Sequence, residues 1–421
     1  MVEFNADIDE KLRLILPPEL VEEFDLRPGT KIHIGRNDNG LHLCRPLTHL
    51  ARIYIEVTNR CNLECVTCIR HSWDEPLGEM SPKTFERIVE SLRSLPAPPE
   101  VFFGGLGEPL AHPDIVDMVR QVKSAGSTAE LVTNGTLLNR TISKELIEAG
   151  LDKLWISLDG ATPESYADVR LGAALPEVLN NLADFRQARW SKYHPVHLDL
   201  LLKPQIGIVF VAMKRNIADL PAVFSLANRL GSLFFLVTNV VPYTREMQDE
   251  ILYAHAINDA VYTSAPLLRT LNFPKMDINA STREAIYQVM RGDHSLSIAG
   301  GSLGESNNRC PFVEKGALAI RWDGEVSPCL ALLHDHRMYF HRYERSIKHH
   351  ALGNVLERSI KDIWHLPDYF AFRNRLREFN FSPCIQCGGC EYFESNQEDC
   401  IGSPTPACGG CLWAQGIIQC P

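Results

Sequence analysis

Six short apolar runs set the limits on what this chain can fold into: residues 52–58, 100–105, 129–133, 153–158, 206–213 and 233–241. Runs this short and this continuous describe strands covered on both faces, the condition of a parallel sheet. Between them the period changes to that of helices. "SPKTFERIVESLRSL" (81–95) opens on a capping Ser81 with Pro82 at the first helical position. "HPDIVDMVRQVKSAG" and "NIADLPAVFSLANRLG" repeat apolar residues at helical spacing, and each reaches a Gly where a C-cap belongs. Six strand–helix units predict an α/β fold with right-handed connections. In such folds functional groups gather beyond the C-terminal ends of the strands.

A chain of 421 residues exceeds one ordinary core, so two or three domains are expected. Its 45% hydrophobic and 22% charged content are those of a soluble globular protein. The longest apolar run, "IGIVFVAM", is far too short to span a bilayer. "MVEFNADIDEKLR" has neither the basic nor the apolar region of a secretory signal, so a cytoplasmic location is expected. The net charge of −10 argues against a broad nucleic-acid surface. Disulfides rarely persist in the cytosol, so 13 cysteines call for another explanation, and metal is the first to consider.

The cysteines are partitioned. Cys44 stands alone, Cys61, Cys65 and Cys68 form C-x3-C-x2-C, and nine follow from Cys310 onward. The triplet reads as three small buried residues, as zinc ligands, or as an iron–sulfur loop. Zinc needs a fourth ligand, for which His71 is the only local candidate. Three thiolates alone suit a cluster with one open iron. Every other unusual polar segment also falls at a strand end. The second strand ends in "FFGGLGEPLAHPD", with Gly104, Gly105, Gly107 and Glu108; the third ends in "TNGT". Such glycines let backbone approach a ligand, and Glu108 can accept hydrogen bonds from an ammonium group; a plain glycine turn is the alternative. The fourth strand ends in "SLDG", with Ser157 and Asp159, and Arg170 follows in "YADVRLG", where a solvated helix-end cation is the alternative.

Together these motifs resemble the radical S-adenosylmethionine (SAM) enzymes over residues 49–255. The resemblance implies a partial (β/α)6 TIM-like barrel. Cys61, Cys65 and Cys68 would hold a 4Fe-4S cluster whose open iron is chelated by the amino and carboxylate groups of SAM. The segment Gly104, Gly105, Gly107 and Glu108 would bind the SAM amino group, Ser157 and Asp159 the ribose, and Arg170 the SAM carboxylate. One-electron reduction would cleave SAM to a 5′-deoxyadenosyl radical that abstracts a substrate hydrogen atom. Two departures stand out: Leu106-Gly107 is inserted before Glu108, and Thr67 occupies the place of an aromatic residue that many members carry before the third cysteine.

In the tail, Cys310 is followed by Gly324 and, after four residues, Cys329. This resembles the opening of the SPASM auxiliary-cluster domain, implying one or two auxiliary 4Fe-4S clusters. Structural zinc is the alternative, since Cys384/Cys387 and Cys408/Cys411 are C-x2-C pairs. Cys390 follows after two residues, where the family usually has five. Cys310, Cys329, Cys384, Cys387, Cys390, Cys400, Cys408, Cys411 and Cys420 are all candidate ligands, unpaired by the sequence, and nine exceeds the eight that two clusters need. A helical linker and this cysteine-rich domain would fill residues 256–421.

At the other end, residues 12–43 read as strand, short helix, Pro-Gly turn and hairpin. They resemble the AbrB/SpoVT swapped-hairpin domain over residues 1–48, implying a homodimer. Nine acidic against six basic side chains there disfavour DNA, which is bound through Lys and Arg. The three-part combination, ending "CGGCLWAQGIIQCP", resembles the tungsten-cofactor oxidoreductase maturases. That implies a tungsten–pterin oxidoreductase or its cofactor as substrate, and a low-potential electron donor such as ferredoxin or flavodoxin. The alternatives are a peptide- or protein-modifying maturase of the sulfatase or ribosomal-peptide type, and a zinc-binding DNA regulator.

Overall fold

A computed structural model describes residues 6–24, 26, 32, 34–37, 40–192, 202–254, 276–277, 279–285, 308–340, 343–382, 384–387 and 390–421. The N-terminal segment holds an antiparallel pair, β1 (Asp7–Ile8) and β2 (Leu14–Ile15), a helix α1 (Pro18–Glu23), and a hairpin of β3 (Ile34–Asn37) and β4 (Gly40–Leu43). The strand, short helix and hairpin expected there are present; the Pro28-Gly29 turn lies outside the described residues. Helix α1 buries none of its side chains. Eight of the sixteen exposed large apolar side chains among the described residues fall between Ile8 and Leu43.

All six expected strands form, and they pair in parallel in chain order: β5 (Arg52–Ile55), β6 (Glu100–Phe103), β7 (Ala129–Thr133), β8 (Lys153–Ser157), β9 (Gln205–Ala212) and β10 (Phe234–Asn239). Alternation sorts their side chains. Ile53, Ile55, Val101, Phe103 and Ile156 pack with the helices, whereas Tyr54, Phe102, Trp155 and Val209 form a second cluster on the opposite face. The connecting helices include α2 (Pro82–Ser94), α3 (Ile115–Ser124), α4 (Arg140–Ala149), α5 (Pro163–Val169), α6 (Leu175–Lys192) and α7 (Leu220–Arg229). Ser81 caps α2 through the Thr84 N–H, as the Ser-Pro start predicts. At the N-terminal ends of the strands, Glu130 takes hydrogen bonds from Arg52 at 2.9 Å, Lys153 at 2.7 Å and Trp155 at 3.1 Å. That end is saturated with internal ion pairs, so the open chemistry lies at the other.

The tail shares the core sheet. Strand β11 (Ala317–Ile320) pairs in parallel with β5, then β12 (Glu325–Ser327) with β11. A hairpin of β13 (His336–Phe340) and β14 (Tyr343–Ile347) follows, and β15 (Gly353–Asn354) completes a nine-stranded sheet beside β12. The physical reason is the ladder of β5, which would otherwise be an unpaired edge. Residues 417–421 cross the second face of the sheet, from β10 to β5. Gln419 N–H donates to Thr238 Oγ1 at 2.9 Å, and Asn239 Nδ2 donates to the Ile417 carbonyl at 3.0 Å. Tyr54 O–H bridges to the Pro421 carbonyl at 3.1 Å. Among the described residues, no helix is long and apolar enough to cross a membrane.

Candidate functional site

The loop after β5 carries Cys61, Cys65 and Cys68, and each sulfur faces at least one N–H. Leu63 N–H lies 3.4 Å from Cys61 Sγ and Asn134 Nδ2 lies 3.9 Å from it. Arg170 Nη1 is 3.9 Å from Cys65 Sγ, and Arg70 Nε is 3.3 Å from Cys68 Sγ. Burial pushes the Cys61 and Cys65 thiols up, with nearby arginines opposing it. Thiolates here therefore need positive charge beyond the two guanidiniums, which bound iron would supply. Among the described residues, no three His, Cys, Asp or Glu side chains are already gathered around a single-ion position. A four-iron cluster takes one cysteine per iron and so holds its sulfurs on separate corners; the donor set fits that group. His71 is spent elsewhere, its Nε2 lying 3.0 Å from the Cys65 carbonyl oxygen.

Glu108 follows β6 and is 2% exposed. Its Oε1 accepts from Leu110 N–H at 3.0 Å and Thr133 O–H at 2.7 Å, and its Oε2 accepts from Asn134 N–H at 2.8 Å. Burial raises its pKa against those three hydrogen bonds. A carboxylate has about four acceptor sites, so one remains, on Oε2. The "TNGT" segment thus acquires a role: Asn134 also donates to Asn62 Oδ1 at 2.9 Å, tying Glu108 to the cysteine loop. Gly107 is required by close approach, because a Cβ there would collide with the carbonyl oxygens of Thr58 and Arg60. Gly104 and Gly105 pack as tightly, against Val132 and Glu56.

Asp159 differs from expectation. It is fully buried; Oδ1 accepts from Val211 N–H at 2.7 Å and Oδ2 from Arg170 Nε at 2.7 Å. Arg170 Nη2 reaches the same Oδ2 at 2.5 Å. These partners make Asp159 the anchor of Arg170, a position that does not suit a ribose contact. Arg170 is itself buried, so it is no solvated helix-end cation. Burial alone would lower its pKa, but Asp159 and Cys65 raise it. Ser157 is half-buried at the end of β8.

One cluster was not foreseen. His334, from the tail, places Nε2 2.8 Å from Glu56 Oε1 and contacts Glu75 Oε2 through Nδ1. Burial would depress its pKa, yet hydrogen bonds to Glu56 and Glu75 raise it to about 9. Glu56 in turn accepts from Leu106 N–H at 3.3 Å, so the imidazolium joins the tail to the glycine loop. A charged Glu in the apolar run 52–58, just after β5, was the one available signal.

The tail cysteines separate into sets. Cys310, Cys329, Cys408 and Cys411 line one cavity. Burial lifts Cys310 to about 12, with Cys329 and Cys408 also well above the ordinary value. Cys384 senses the charges of Cys400 and Cys390 instead, the latter two being exposed. Cys387 ends the helical turn that begins at Cys384, its side chain lying outside the described residues. Cys420 is not among the residues lining that cavity and takes the Trp413 indole N–H at 3.2 Å.

Known proteins match in the same pattern. The radical SAM superfamily matches residues 55–202, and the SPASM iron–sulfur cluster-binding domain matches residues 310–391. The tungsten-containing aldehyde ferredoxin oxidoreductase cofactor-modifying protein of Pyrococcus furiosus is 31% identical over 88% of this chain and 96% of that protein. The AdoMet-dependent heme synthase of Methanosarcina barkeri is 25% identical over 80% of this chain and 87% of that protein. Among solved structures, anSMEcpe with bound AdoMet aligns at TM-score 0.55 and 16% identity, over 87% of this chain and 92% of that one. Streptococcus suis SuiB bound to precursor peptide SuiA aligns at 0.54 and 14% identity, over 82% and 72%. These two likenesses concern the fold alone.

Proposed function

The chain belongs to the radical SAM superfamily and carries a SPASM domain, and on that footing we propose that it matures a tungsten–pterin oxidoreductase, modifying its cofactor or its polypeptide. The observation that carries this reading is the 31% identity to the Pyrococcus furiosus protein, which extends over 96% of that relative. Membership in an enzyme superfamily with an iron–sulfur domain sets aside the zinc-binding regulator.

Cys61, Cys65 and Cys68 would hold the SAM-binding 4Fe-4S cluster. When bound, that cluster and SAM supply a 5′-deoxyadenosyl radical able to take a hydrogen atom from an unactivated C–H bond. Asn134, Arg170 and Arg70 steady the three sulfurs with N–H groups. Glu108 offers its remaining acceptor site to the SAM ammonium, while Gly104, Gly105 and Gly107 keep the loop close to the cysteine strand. Arg170, held by Asp159, presents its guanidinium beside Cys65, where the SAM carboxylate would meet it. Ser157 is the remaining candidate for the ribose. In the tail, Cys310, Cys329, Cys408 and Cys411 would hold one auxiliary cluster, and Cys384, Cys387, Cys390 and Cys400 a second. Cys420 is the spare thiol. A low-potential ferredoxin or flavodoxin would deliver electrons, and residues 1–48 would pair with a second copy, covering the apolar side chains they leave exposed.

The test is anaerobic incubation of reduced protein with SAM and either the candidate tungsten oxidoreductase or its isolated cofactor, followed by mass analysis of both. A mass change matched by 5′-deoxyadenosine formation is expected. Release of 5′-deoxyadenosine with both candidates left unaltered would sink this substrate assignment.

A further inference from the structure

Arg345 lies on β14 and is 2% exposed. It lines the cavity of Cys310, Cys329, Cys408 and Cys411. Its Nε and Nη1 have no hydrogen-bond partner, and among the described residues no carboxylate forms an ion pair with it. Its charge instead senses Cys384, Cys411 and Cys408, and its guanidinium sits 4.7 Å from the Phe393 ring centroid. Burial pulls its pKa down while pushing the thiols around it up. With neutral thiols, both halves of this arrangement are unfavourable: a cation without a counter-ion beside groups reluctant to ionise. A cluster bound by four thiolates is a net anion, so its arrival satisfies both.

We propose that Arg345 is the built-in counter-cation of the Cys310, Cys329, Cys408 and Cys411 site, and that it raises the reduction potential of the cluster held there. This rests on the reading of that quartet as an auxiliary iron–sulfur site. One-electron reduction adds one negative charge to the cluster, the electron coming from the low-potential donor and no proton being required. A fixed guanidinium stabilises the more negative product over the oxidised form, and net charge and hydrogen bonds to sulfur are the terms that set such potentials. The local sequence protects the contact. A Cβ on Gly410, between Cys408 and Cys411, would collide with Arg345 Nη1, so the residue before Cys411 has no room for a side chain. Cys384 of the other set also acts on Arg345, but the cavity lining and the Gly410 contact place the guanidinium at the quartet.

The experiment is a redox titration of the full-length holoprotein followed by electron paramagnetic resonance, with iron and sulfide counted in each sample. Arg345→Gln should retain its iron and lower the potential of one auxiliary cluster, leaving the SAM-loop cluster unmoved; Arg345→Lys should recover part of the shift. An unchanged potential at full iron content overturns the proposal. Should Arg345→Gln fail to load iron, Gly410→Ala decides by the same readout: displacing the guanidinium lowers the potential if it is the counter-cation, and an unmoved potential overturns that role. Wild-type protein whose tail takes up no cluster would instead refute the quartet reading itself.

Discussion

The molecule gathers sulfur in two ways. The loop after β5 brings three cysteines together within eight residues, on the end of a buried strand, and surrounds them with N–H donors from the loop itself, from Asn134 after β7 and from Arg170 after α5. The tail quartet is drawn from three places between Cys310 and Cys411 and lines a cavity together with one buried arginine. A local site of the first kind is as stable as its loop. A site of the second kind exists only once the surrounding hairpin and sheet have formed, so ligand loss there unravels more structure. The difference separates their settings as well: the loop sits at the strand ends, whereas the quartet shares a cavity with Met338, Arg345 and Ile347 of the tail hairpin.

The comparison breaks most directly at Cys65. Cys65→Ser should abolish reductive SAM cleavage while tail iron stays in place; 5′-deoxyadenosine formed at the normal rate would end the assignment of the loop. Next in size, Cys411→Ser should lose about four irons per chain, one cluster's worth, and retain some SAM cleavage, whereas Cys420→Ser should lose none. Equal iron loss in the two variants would undo the four-four-one division of the tail. Smaller effects belong to the residues proposed to hold SAM. Glu108→Gln removes a charge-assisted hydrogen bond of about 1.5–3 kcal/mol, so SAM affinity should fall roughly tenfold or more. Asp159→Asn should weaken it through Arg170, and equilibrium binding that leaves both variants at wild-type affinity would place the pocket elsewhere.

His334 tests the join between the two regions. Its folded pKa is raised, so its contribution is complete below the ordinary value of 6.5 and disappears as pH rises through about 9. Glu56, Glu75, Asp335, His336 and Arg321 are the charged or titratable groups around it. Melting temperature should drop between pH 6.5 and 9.5 by an amount worth about 1–3 kcal/mol, and His334→Gln should flatten that drop. An equally steep profile in the variant would mean other groups dominate. Smallest of all, deletion of residues 1–48 should abolish self-association measured by light scattering yet leave 5′-deoxyadenosine formation intact.

Legibility followed the same divide. The six strands, the capping Ser81 and the cysteine triplet were readable because each rests on neighbours a few residues away. Glu108 was readable as a polar residue in a glycine turn, although its anchoring by Thr133 and Asn134 was not. The pairing of Asp159 with Arg170 was not readable because spacing along a chain does not reveal which face of a strand end is closed. His334 and Glu56 are 278 residues apart, and Arg345 and Cys411 are joined only through folded geometry. No periodicity encodes such meetings.

The tail grips both margins of the core sheet, β11 against β5 on one side and residues 417–419 against β10 on the other. Synthesis is vectorial, so the parallel strands emerge long before the segments that border them. Bringing Thr238 to Gln419 closes a loop of 181 residues, and such non-local contacts slow folding. For much of that interval β5 is an exposed edge able to pair with other chains. Delivery of iron to the quartet, by fixing Cys310 to Cys411, would shorten the remaining search, making cluster insertion a late step of folding as well as of cofactor assembly.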